Sequence, residues 1–131
     1  MLLDTSGLFC FHHRAEPQHP AAVRHFTSAP RRLTHNYVLA EFVALTLARG
    51  LALPPVLDFL ADLQDNILVE VVFVDRALHD QAVELLRRRP DKSWSLCDAV
   101  SFILMKEHSL LEALTTDHHF NQAGFVRLLN P

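Results

Sequence analysis

The chain has 131 residues, 50% of them hydrophobic, which suits one globular domain with a single sizeable core. Its 12 Lys+Arg against 15 Asp+Glu give a formal net charge of −3, so no global field draws in a polyanion; nucleic-acid binding would have to rest on local basic patches or on metal ions. Cys10 and Cys97, without CxxC or Cys-His spacing, exclude a disulfide framework and a thiolate zinc site, and no apolar run approaches the ~18 residues of a membrane span.

Residues 1–4 read as a short apolar strand, and Thr5-Ser6-Gly7 as the turn into a helix over 8–14. Glu16-Pro17-Gln18 is a break. His19-Pro20 opens a second helix, with proline at the first helical position where its missing N–H costs nothing, and Pro30 ends that region. Residues 31–34 are long enough only for a short second strand. Asn36 is expected to cap a helix whose apolar positions (Val38, Leu39, Phe42, Val43 and Leu45) bury most of its surface, and Gly50 stops it.

Pro54-Pro55 begins an amphipathic helix over 53–63. Residues 67–74, rich in β-branched side chains, predict a buried strand. Asp75 caps the next helix, which ends in Arg87-Arg88-Arg89 before Pro90. A helix over 95–108, a strand over 111–116, a short helix over 118–123 closed by Gly124, and a strand over 125–129 complete the chain. Strands alternating with helices predict a single domain over residues 1–131, a three-layer α/β/α sandwich on a parallel sheet.

Four acids stand alone in apolar surroundings. Asp4 is the only formally charged side chain before Arg14, Glu41 the only one in YVLAEFVALTLA, and Asp98 the only one in SWSLCDAVSFILM; Asp117 closes ALTTD. An ionised carboxylate buried alone loses several kcal/mol of solvation, so a cation is expected among them. Asp4 and Asp117 follow the first and fourth strands, and a strand order of 3-2-1-4-5 makes those strands neighbours at the point where ligands bind open parallel sheets. Glu41 lies early in the helix after strand two, which begins at the same edge. Asp98 lies in the first turn of its helix, and topology alone does not dictate its place.

Oxygen-only ligation selects Mg²⁺ or Mn²⁺ over zinc, as one or two ions. In a two-metal site the ions stand roughly 3.5–4 Å apart, one activating water and the other stabilising the leaving oxygen of a phosphodiester. The hydroxyls of Thr5, Ser6 and Thr116 adjoin two of the acids and are expected to orient a carboxylate or a bound water.

Each acid also has a bland reading. Ser95 and Asp98 have capping-box spacing, Asp117 can cap the short helix before Gly124, and Asp4 can form a turn with Thr5-Ser6. Glu41 resists this, since Tyr37 and Leu45 leave it no basic partner at i±4. The nine histidines are scattered, with only His12-His13 and His118-His119 adjacent, and read as surface or capping residues. Arg14, Arg24, Arg31 and Arg32 are candidate phosphate contacts, whereas Arg87-Arg88-Arg89 complements a helix end. The phenylalanines 9, 11, 26, 42 and 102 read as core, and the two cysteines as buried small hydrophobes.

The segments LLDTSGLF, NYVLAEFVAL, WSLCDAVSF and LTTDHHFNQAGF, in this order and spacing, resemble the PIN-domain nucleases, above all the short toxin-type members paired with antitoxins in bacterial VapBC modules. The likeness spans residues 2–129. It implies a Mg²⁺/Mn²⁺-dependent endoribonuclease that cleaves RNA phosphodiester bonds by metal-activated water, with Asp4, Glu41, Asp98 and Asp117 as catalytic metal ligands. It also implies a VapB-type antitoxin that blocks the site, and a homodimer. In one place the chain departs from the pattern: many relatives carry a second acid two residues after position 117, where this chain has His119.

Two other classes compete. A phosphatase or phospho-accepting receiver needs an acceptor aspartate after the third strand and a lysine after a late one; Asp75 suits the first, but Lys106 falls inside a helix. A PIN-like fold kept as a non-enzymatic RNA-binding or protein-interaction module would be expected to have lost its acids, which here are all present. The N-terminal segment lacks a basic n-region, so it does not read as a signal peptide, and the expected compartment is the cytoplasm.

Overall fold

The computed structural model describes residues Met1–Pro131. In chain order its elements are β1 (Leu2–Leu3), α1 (Thr5–His12), α2 (His19–Ser28), β2 (Arg32–His35), α3 (Asn36–Ala48), α4 (Leu53–Asp65), β3 (Val69–Val72), α5 (Arg76–Arg88), α6 (Leu96–Glu107), β4 (Glu112–Leu114), α7 (His119–Gln122) and β5 (Val126–Arg127). All strand pairings are parallel, as the alternation of elements predicted, and the order is β3-β2-β1-β4-β5, the order expected for the sheet.

Successive side chains of a strand point to opposite faces, so the two leucines of β1 seed two cores. Leu3 joins Leu8, Val38, Phe42, Val56 and Leu114 under α1 to α4. Leu2 joins Leu33, Val100, Phe102, Ala113 and Phe120 under α5 to α7. Leu2 lies opposite both Leu33 and Ala113, and Leu3 opposite Leu114, so the central strand carries its carboxyl end to the same edge as β4.

Several local expectations are corrected. The turn Thr5-Ser6-Gly7 is already helical: α1 starts directly after Asp4, its N-cap. Gly7 sits in that first turn because a Cβ there would lie 1.8 Å from the carbonyl oxygen of Leu114, so only glycine lets the helix approach β4 so closely. The strand expected over 67–74 is neither so long nor buried. β3 is the sheet edge, bonded only to β2, and the residues beyond that short ladder pair with no strand; Ile67 is 97% exposed, and Leu68 and Phe73 are exposed too.

Asn36 does not cap α3. His35 occupies the N-cap position, and the Asn36 side-chain oxygen instead accepts the Val74 N–H at 2.7 Å, tying the exit of β3 to α3. Gly50 and Gly124, with φ of +78° and +93°, end α3 and α7 as expected.

Two of the candidate phosphate contacts are spent on the fold. Arg32 is buried and donates to the carbonyls of Phe26 and Thr27, with its guanidinium over the Phe26 ring. Arg31 pairs with Glu70 and reaches His108. Both stand at the start of β2, the sheet edge opposite the carboxyl ends. Nor are all histidines superficial: His35 is fully buried, with Nε2 2.8 Å from Ser101 Oγ. Both cysteines are buried and unpaired, as expected. No helix is long and apolar enough to cross a membrane.

Candidate metal centre

Asp4 is 4% exposed at the junction of β1 and α1. Although it is the N-cap of α1, its side chain makes no capping bond, so the turn-former reading does not account for it. Its Oδ2 accepts from the Thr115 hydroxyl at 2.8 Å and lies 3.4 Å from Ser6 Oγ. Burial raises its pKa to about 7, against the Thr115 hydrogen bond, and the charges of Asp98 and Glu41 push the same way as burial. A carboxyl whose ionisation is disfavoured by its surroundings, with two further carboxylates near enough to act on it, is arranged for a cation.

The two capping readings are geometrically real, and each leaves the acid beside the others. Ser95 and Asp98 form a reciprocal capping box, the Ser95 N–H donating to Asp98 Oδ2 and the Asp98 N–H to Ser95 Oγ, both at 3.0 Å. The box fixes the Asp98 carboxylate at the start of α6, close enough for its charge to act on Asp4. Asp117 Oδ1 accepts the His119 N–H at 2.9 Å at the start of α7. Asp117 is tied to Asp4 through one hydroxyl: Thr115 Oγ1 accepts the Asp117 N–H at 3.0 Å while donating to Asp4. Glu41 is exposed on α3, at the rim.

Three residues change the hydroxyl and ligand picture. Thr115, not Thr116, is the threonine whose hydroxyl reaches the acids; Thr116 offers only its N–H, to Ser6 Oγ at 2.9 Å. ALTTD holds two adjacent threonines, and only the strand's pleat decides which faces Asp4. His119 Nδ1 lies 3.0 Å from Asp98 Oδ2 and 3.4 Å from Asp117 Oδ2, so the ring bridges both carboxylates. Its place, where the family resemblance leads one to expect an acid, was the available signal. Cys97 lies among the same acids, and burial foremost, then Glu41, Asp4 and Asp98, drives its thiol well above the ordinary range; it stays protonated and offers no thiolate.

The residues present fit a hard divalent cation. The donors are carboxylate oxygens, the chemistry such an ion takes, and the buried Thr5 hydroxyl beside them has only the weakly bonding Cys97 thiol within reach.

A family model described as PIN domain matches residues 1–126. Over 129 residues the chain is 31% identical to a protein of Mycobacterium tuberculosis named 23S rRNA-specific endonuclease VapC20, covering 98% of this chain and 97% of that one, in both strain CDC 1551 / Oshkosh and strain ATCC 25618 / H37Rv. The crystal structure of Mycobacterium tuberculosis VapC20, titled a sarcin-ricin loop cleaving toxin, superposes with a TM-score of 0.87 at 30% identity, covering 99% of this chain and 98% of that one.

Proposed function

The chain belongs to the PIN-domain family, and on that premise we propose that it is a Mg²⁺- or Mn²⁺-dependent endoribonuclease, the toxin of a VapBC-type pair, acting on an exposed loop of ribosomal RNA. The observation that carries this reading is the burial of Asp4 beside Asp98 and within reach of the Glu41 charge, at the carboxyl edge of the sheet. Asp4, Asp98 and Glu41 are the proposed ligands, joined by Asp117 across Thr115. A divalent ion bound there supplies activated water at neutral pH and offsets charge on the phosphodiester. Thr115 and Ser6 hold the Asp4 carboxyl in one orientation, and the capping box does the same for Asp98, so the acids are positioned before substrate arrives.

Pairing with an antitoxin is supported by a groove of about 660 Å³ between α1, α2 and α4, lined by Phe11, Val23, Phe26 and Phe59 with His12 and Arg14 at its edge. An aromatic groove with the Arg14 guanidinium at its edge suits an amphipathic helix carrying an acidic residue.

The test is cleavage of a sarcin–ricin loop oligonucleotide, beside an unrelated hairpin, with Mn²⁺ or Mg²⁺, by purified protein free of partner. Cleavage restricted to the divalent-loaded protein and lost in Asp4→Asn and Asp98→Asn is expected. Cleavage that persists in excess chelator, or in both variants, would overturn the metal-carboxylate mechanism.

A further inference from the structure

We propose that His119 is itself a metal ligand through Nδ1, making the centre a mixed nitrogen–oxygen site that favours Mn²⁺ over Mg²⁺; this rests on the metal-dependent reading above. Nδ1 stands 3.0 Å from Asp98 Oδ2 and 3.4 Å from Asp117 Oδ2. An imidazole nitrogen stands this close to two carboxylate oxygens only with something positive between them, a proton or an ion. The spacing suits an ion: neighbouring donors of an octahedron with bonds of about 2.1 Å stand about 3.0 Å apart.

The ring is held for this role. Its far nitrogen, Nε2, lies 3.3 Å from Ser93 Oγ, and with the proton on Nε2 the serine oxygen accepts it, leaving the Nδ1 lone pair directed at the carboxylates. A hydrogen-bond partner on the other ring nitrogen is the usual companion of a ligating histidine, fixing tautomer and orientation. The backbone holds it as well, since the His119 N–H donates to Asp117 Oδ1 and leaves Oδ2 turned toward the ring. The His119 side chain is 17% exposed against 67% for His118, which lies 3.6 Å from Asp117 Oδ1 and is left to solvent.

The chemical consequence is selectivity. Mg²⁺ takes oxygen donors and gains little from an imidazole, whereas later divalent ions accept one readily, so a nitrogen donor in an otherwise carboxylate set discriminates against Mg²⁺.

The test needs no RNA. Mn²⁺ alone, added to the purified full chain, is read by pulsed electron paramagnetic resonance for modulation from a directly bound nitrogen. Modulation is expected in the unaltered protein and in His118→Gln, and is expected to change when the histidines carry ¹⁵N, a control that needs no variant. It should vanish in His119→Asp and His119→Gln while both still bind Mn²⁺, and competition should show the Mn²⁺-over-Mg²⁺ preference falling by about tenfold in His119→Asp. Bound Mn²⁺ without nitrogen modulation, or modulation surviving both His119 variants, would overturn this ligand assignment and leave the nuclease reading standing. Failure of the unaltered protein to bind Mn²⁺ at all would overturn both.

Discussion

Two buried side chains, Asp4 and His35, carry opposite titration signatures. Asp4 has its pKa raised from 3.8 to about 7, so between those values the unfolded chain has released a proton that the folded one keeps; the metal-free protein loses stability as pH rises through that window. Asp4→Asn removes this slope and is expected to stabilise the metal-free protein at pH 8 by on the order of a few kcal/mol, measured by urea unfolding in chelator. His35 is lowered from 6.5 to about 4 by burial, so the unfolded chain takes up a proton that the folded one refuses, and stability falls as pH drops from about 6.5 to about 4. Urea unfolding across that range should show His35→Gln, which can keep the bond to Ser101, flattening the acid limb by up to about 3 kcal/mol. A steeper acid limb in His35→Gln would contradict this account.

At the scale of elements, the site depends on how α1 and α6 begin. Gly7→Ala puts a Cβ against the Leu114 carbonyl, and neither partner is a flexible side chain, so α1 must shift off β4. A loss of about 3 kcal/mol is expected, with Asp4 and Ser6 displaced together and nuclease activity lost even at temperatures where the variant is folded. Ser95→Ala removes one half of the capping box and should cost about 1 kcal/mol. Because the same box orients Asp98, thermal denaturation and Mn²⁺ titration of this variant should both move; an unchanged Mn²⁺ affinity would show that Asp98 is held by other contacts. Element identity was largely legible in the sequence here. Ser95 and Asp98, Asp75, Gly50 and Gly124 act on neighbours within a few residues, where short-range chemistry decides. Extent was less legible: the apolar run of residues 67–74 reads as buried, and its exposure follows from an edge position that the run itself does not encode.

For the whole molecule, the sheet edge gathers carboxylates whose repulsion and desolvation oppose folding, and a bound cation would offset both. Saturating Mn²⁺ or Mg²⁺ is therefore expected to raise the melting temperature, by on the order of 10 °C at a hundredfold excess over Kd. Differential scanning fluorimetry with Asp4→Asn as control checks this. A divalent-independent melting temperature would favour a PIN fold serving as a non-enzymatic binding module.

By itself the sequence determined the order of elements, the doubly covered parallel sheet and the four lone acids, because hydrophobic periodicity, caps and turn glycines are local signals. It also flagged His119 as out of pattern without saying what the ring does. The tertiary structure alone decided that Asp98 lies within electrostatic reach of Asp4, that Thr115 rather than Thr116 joins Asp4 to Asp117, that His35 is sealed in the core, and that His119 bridges two carboxylates. The physical reason is separation along the chain. The Thr115–Asp4 bond spans 111 residues, His35–Ser101 spans 66 and His119–Asp98 spans 21. Such pairs are set by the parallel docking of β4 against β1 and the seating of α6 on the sheet, and no neighbouring residue records them.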